Sequence, residues 1–206
     1  MKSTFWLLAA LSVASMNTAC AGPSAATGKS AAASTTLSQS YTWYDGDRAQ
    51  TVWLNPQLVA EFNPTPQSAA QVRAAGLTTA AGRDVQGGVR LWQVSNSTTA
   101  ARALSTAQPN SKFAPVLHTA PNASGAMRSL PGNIVVMLKA NWDSAAVNAW
   151  LARNNLQVVE KVGSGSNVFL LKSPPGLASL DLANALYQAG EVLSASPNWW
   201  TEVHTR

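Results

Sequence analysis

The chain has 206 residues, of which 11% are charged, and carries a formal net charge of +5 with one cysteine and two histidines. Its 14 Lys and Arg residues are scattered without a run, so the basic balance leaves no footprint for nucleic acid. A lone cysteine excludes an intrachain disulfide framework and a cysteine metal cluster, and two histidines, His118 and His204, far from Cys20 and from each other in sequence, give no zinc pattern.

Lys2, the short apolar run Phe5 to Val13 and the small residues Ala19 and Ala21 predict a signal peptide over 1–21, cleaved after Ala21. The run falls far below the roughly 20 residues that span a bilayer. The protein is therefore expected to be exported, to the periplasm or the extracellular space. The alternative is lipidation at Cys20, which would make it an outer-membrane lipoprotein and is its one route to a membrane. Against that, Asn17-Thr18-Ala19 lacks the aliphatic residue that lipoprotein signals carry three places before the cysteine.

Residues 22–39, rich in Ala, Ser, Thr and Gly, predict a disordered linker with almost nothing to bury. Residues 40–120 read as a small β-rich subdomain. Tyr41 to Tyr44 is an aromatic strand, Asp45-Gly46 a hairpin signal, and Thr51 to Leu54 the return strand. Asn55-Pro56 breaks the run before a short strand at Leu58 to Phe62. Ser68 to Ala75 reads as a helix capped by Ser68, Val89 to Val94 as an alternating strand, Thr98 to Thr106 as a turn or two of helix, and Phe113 to His118 as extended.

Residues 121–132 read as a turn-rich link to a second domain over 133–198. There the order is strand (Asn133 to Leu138), helix (Asp143 to Arg153, capped by Asp143), strand (Leu156 to Val162), a turn at Gly163 to Ser166, strand (Asn167 to Lys172), helix (Leu177 to Ala189) and strand (Glu191 to Ala195), with Pro197 as the stop. The fold class is α+β: a ferredoxin-like βαββαβ domain, its antiparallel sheet carrying two helices on one face, preceded by the hairpin-containing subdomain. The opposite sheet face is left for a partner or a neighbouring domain.

These residues resemble the N-terminal pro-domain of bacterial secreted subtilisin-like serine peptidases. Pro131 to Leu138 is similar to a family strand near "EIIVKF", Leu156 to Lys161 to "LxVVEK", Leu182 to Tyr187 to the last helix, and Val192 to Asn198 to a closing "VEYAEPN". Tyr41 to Leu54 resembles an aromatic hairpin found ahead of such pro-domains, and Pro115-Val116-Leu117 a "PVF" strand. The resemblance implies a folding chaperone and inhibitor of a subtilisin-like protease. Such a domain packs its outer sheet face on the enzyme and lays its C-terminal tail in the substrate cleft. No subtilase catalytic motif is present, so the implied protein is a free-standing relative, monomeric when free.

No enzyme is expected. Neither His118 nor His204 sits in a GxSxG or HExxH context, and both read as surface histidines. Asp45 and Asp47 flank a turn, and no cofactor or metal is expected. The functional residues are expected in the tail 199–206: Trp199, Trp200, Thr201, Glu202, Val203, His204, Thr205 and Arg206, bound by strand addition in the protease cleft. Among the eight tryptophans, Trp150 reads as core and Trp43 and Trp53 as a pair across the hairpin. Trp199 and Trp200 point to opposite sides of a strand. The competing reading is a non-inhibitory adaptor or structural protein of the envelope that keeps the pro-domain fold.

Overall fold

The computed structural model describes residues 36–76, 82–163 and 167–202. The expected signal peptide with Cys20, the expected linker up to residue 35, turn residues 164–166 and tail residues 203–206 lie outside the described residues. Described residues 36–39 are held rather than loose: Thr36 bridges Asn122, and the Leu37 N–H donates to the Pro121 carbonyl at 2.9 Å. Leu37, the one large apolar side chain there, is buried.

Strands β1 (Ser40–Asp45) and β2 (Arg48–Phe62) form the expected hairpin, with Gly46 first in a two-residue turn at φ 61°. That turn fixes a register in which Trp43 faces Gln50 and Trp53 faces Ser40, so the two tryptophans do not pair as expected. Nor does Asn55-Pro56 end the strand. The register of β2 against β5 (Lys112–His118) shifts between Leu54 and Val59, and Pro56 sits in that irregularity, where no ladder N–H is required.

Helix α1 (Pro66–Ala74) begins earlier than expected, because Thr65 and not Ser68 is its N-cap. Thr65 and Ser68 form a reciprocal capping box, with Pro66 at the start of the helix. A hairpin of β3 (Arg83–Val85) and β4 (Val89–Gln93) follows, then α2 (Ser97–Ala107), capped by Asn96. With β6 (Met127–Ser129) and β11 (Trp200–Thr201) these strands form an antiparallel sheet in the order β11-β6-β5-β2-β4-β3, and β1 also pairs with β2. Its two ends approach each other: Arg83 meets Glu202 at 3.7 Å, and the Trp200 indole donates to the Gln86 carbonyl at 3.3 Å. The sheet is thus curled. Phe62, Leu91, Val116 and half-buried Trp200 share one core, while Val59, Trp92 and Phe113 pack with Val72 of α1 and Leu104 of α2 in another.

The stretch 121–132 is more than a connector. It supplies β6, and Leu130 and Ser129 are buried, with the Ser129 hydroxyl donating to the Pro115 carbonyl at 2.9 Å.

The second half runs β7 (Ile134–Met137), α3 (Ser144–Arg153), β8 (Val158–Lys161), β9 (Val168–Leu171), α4 (Leu177–Gln188), β10 (Ser194–Pro197), and its antiparallel sheet has the order β10-β7-β9-β8. Asp143 caps α3 as expected, accepting from the Ala146 N–H at 2.8 Å. Trp150 is core, and its indole donates to Glu191 at 2.8 Å. The hydrogen bond from Arg153, more than the one from Trp150, holds the Glu191 carboxyl below its ordinary range. The last strand starts later than expected and includes Pro197. β10 is an edge strand, and the next residue, Asn198, donates to Asn133, so the Pro197 nitrogen faces away from β7.

Helix α4 joins the two sheets. Ala183 and Leu186 pack with Ile134, Val136, Trp150 and Leu171, whereas Leu180 packs with Trp43, Val52, Leu117 and Leu130. Tyr187 stacks on Tyr44 at 4.4 Å, and Asn184 donates to the Thr42 carbonyl at 2.8 Å. The described residues accordingly belong to one compact unit. Leu180→Ala should destabilise the protein by about 3 kcal/mol. Tryptophan fluorescence and far-ultraviolet circular dichroism should report one shared transition in urea. Two separated transitions would mean that the halves fold independently.

Candidate functional site

Alternation along β7 and β9 decides which side chains reach the second sheet's open face. Ile134 and Val136 of β7 and Phe169 and Leu171 of β9 point inward, beneath α3 and α4. Val135 and Met137, and Val168 and Leu170, therefore point outward, and the register places Met137 beside Val168 and Val135 beside Leu170. Beyond them on β10, Ser194 faces Met137 and Ser196 faces Val135. On the other side β8 is an edge strand, irregular between Val158 and Glu160, with all four residues exposed.

The strongly exposed large apolar residues of the described chain gather at this sheet. Met137, Val158, Val159, Val162 and Leu193 are each 40% exposed or more, and each lies in one of its strands or next to one. Of these, Met137 and Val162, whose N–H donates to the Val168 carbonyl, lie on the outer face, whereas Val158 faces Leu171 and Leu193 sits beside Leu138 toward the helix side. The face is poor in charge: Glu160 lies opposite Leu170, and Lys172 follows Leu171 at the end of β9. It offers area and shape rather than proton transfer.

The expected tail residues divide. Trp199, Trp200, Thr201 and Glu202 are half-buried on the chain's own sheet, whereas Val203 to Arg206 lie outside the described residues. Trp200 and Thr201 pair with Ser129 and Arg128, and the Glu202 N–H donates to the Met127 carbonyl at 3.0 Å. Trp199 meets Trp43 edge to face with centroids 5.2 Å apart. Residues 199–202 are thus not a loose tail; two indoles seeking burial beside a ready strand edge account for that. Sequence reasoning missed Arg128, whose guanidinium sits 5.6 Å from the ring centroids of both Trp43 and Trp199. The one available signal was an arginine within a stretch otherwise read as turns.

His118 is not a surface histidine. It is buried, with Nδ1 3.0 Å from the Gly125 carbonyl and Nε2 3.1 Å from Asn55 Nδ2. A carbonyl only accepts, so Nδ1 carries the proton. The Asn55 amide is oriented by the Gln57 N–H donating to its Oδ1 at 3.0 Å, which leaves Nδ2 to donate to Nε2. The residue ties the loop after β5 to the irregular part of β2. Glu61, also fully buried, accepts from the Trp92 indole at 2.8 Å. Nearby, Arg90 donates to Asp84 at 2.6 Å, and that bond holds the Asp84 carboxyl below its ordinary range. Among the described residues no three metal-ligating side chains lie close enough to hold an ion.

A groove of about 370 Å³ lies between α2 and the start of α4, walled by Ala101, Arg102, Phe113, Pro115, Pro175 and Leu177.

His118→Leu should lower stability by about 2 kcal/mol, measured by urea denaturation, because Asn55 and Gly125 lose their partner. Met137→Lys should cost less than about 1 kcal/mol, since the site already faces solvent, and should reduce binding of an apolar fluorescent dye. Comparison with protein-family models, with curated proteins and with solved structures found no match.

Proposed function

We propose that this chain is an exported, non-catalytic protein-binding domain that inhibits a subtilisin-like serine protease or assists its folding. It docks through the outer face of the β10-β7-β9-β8 sheet. The observation that carries the reading is that face: Val135, Met137, Val168 and Leu170 side by side, on the side of the sheet opposite α3 and α4, with no helix over them among the described residues. The strand order, with α3 and α4 on the other side, supports a ferredoxin-like reading of 133–198, the arrangement implied by the pro-domain resemblance. Apolar side chains on a rigid sheet offer buried area to a partner with little ordering of the backbone on binding. In this reading residues from Val203 onward enter the protease cleft, and Trp199 to Glu202 belong to the body that presents them.

The second reading, an envelope adaptor that does not inhibit, is favoured by one observation. Four of the eight residues expected in the cleft are engaged with the chain's own strands.

The test is the inhibition constant of the secreted chain, beginning at Gly22, against secreted subtilisin-like proteases. Tight inhibition, weakened about tenfold or more by Met137→Lys, is the expected result. Binding without inhibition would favour the adaptor, and absence of both would remove the protease reading.

A further inference from the structure

We infer that Arg128 is a positioning residue: lying against both Trp43 and Trp199, which touch each other edge to face, it fixes the position and direction of the chain at Trp199 to Glu202. Its consequence for inhibition rests on the protease reading above; its consequence for the free protein does not.

The last strand is too short to hold itself. β11 makes two register pairs with β6, Trp200 with Ser129 and Thr201 with Arg128, and one further backbone bond follows at Glu202. A pairing of that length needs side-chain support to persist. Arg128 supplies it from the middle of β6, as the register partner of Thr201. Its guanidinium lies 5.6 Å from both indole centroids, and the two rings close on each other at 5.2 Å. One cation therefore joins β1, β6 and the segment entering β11. Trp200, on the alternate side of the strand, packs where a Cβ on Gly87 would lie 3.0 Å from its Nε1, so the segment is gripped from both sides.

The cluster is not a simple source of stability. Arg128 Nε and Trp199 Nε1 are buried and have no hydrogen-bond partner among the described residues, which offsets part of the cation–ring attraction. What remains is orientation: a cation held 5.6 Å from both ring centroids draws the two indoles and β6 together, which a leucine in its place would not do.

The experiment uses the secreted chain with Arg128→Met, which keeps the aliphatic stem, and Arg128→Lys, which keeps the charge and loses the planar guanidinium. Hydrogen exchange at Trp200 and Glu202, whose N–H groups face β6, should accelerate in the free protein about tenfold or more in both variants, while β7 and β9 exchange as in the wild type. Unchanged exchange at those two amides, or equal acceleration everywhere, would overturn the inference whatever the protein binds. Two forms of subtilisin then separate it from the protease reading, one active and one with its cleft filled by a tetrapeptide chloromethyl ketone. Both variants should inhibit the active enzyme about tenfold less well and bind the filled enzyme with wild-type affinity. Equal weakening in both arms, or in neither, would overturn the positioning role. Failure of the wild type to bind either form would overturn the protease reading, and the exchange result would still decide the role of Arg128 in the free chain.

Discussion

Helix α4 has a core on each side, and most of the molecule depends on that. Ala183 and Leu186 fill the sheet of the second half, and Leu180 fills the space beside the curled sheet of the first. Each fully buried large apolar side chain stabilises the fold by about 1.5–3 kcal/mol, so losing this helix would open both cores together. With α4 shared, the described helices of the second sheet lie on one side only, and on its outer face Met137 is exposed while Val135, Val168 and Leu170 are half-buried. The exposed apolar surface is a consequence of how the two halves are joined.

A second constraint acts at the end of the described chain. After β10 the backbone crosses to the other sheet and pairs with β6, so Trp199 and Trp200 help close the curl. The edges of the curled sheet meet through side chains, Arg83 with Glu202 and Trp200 with Gln86. A charged contact and an indole at the seam also blunt two strand edges that would otherwise invite pairing with other chains. The apolar outer face and residues 199–202 thus belong to different sheets, joined through α4 and through the Trp43–Arg128–Trp199 cluster.

Much of the second half was legible because its signals are local. Asp143 before an apolar helical stripe, the runs NIVVML and NVFLLK, and Pro174-Pro175-Gly176 between strand and helix each point to one structure. The first half was less legible. Pro56 looks like a terminator, yet a long strand with an irregular register absorbs it, and Thr65 caps α1 by accepting the Ser68 N–H, with Ser68 returning the bond. Trp43 and Trp53 looked like a pair until the turn length set the register. His118 seemed peripheral because its partners, Asn55 and Gly125, are brought to it by tertiary structure alone. The same holds for the anchoring of Trp199 to Glu202, which needs a strand edge read as a linker. The apolar outer face was half visible: NIVVML and NVFLLK are apolar on both sides, but sequence assigns that to central strands without saying that one side stays open.

The most direct measurement of the central claim is methyl NMR of the chain labelled at Val, Leu and Met during titration with a subtilisin-like protease. The account predicts that Val135, Met137, Val168 and Leu170 shift or broaden together, while Leu104 and Val72, beneath the helices of the first half, stay in place. Perturbation confined to the groove between α2 and α4, or to the first half alone, would contradict it.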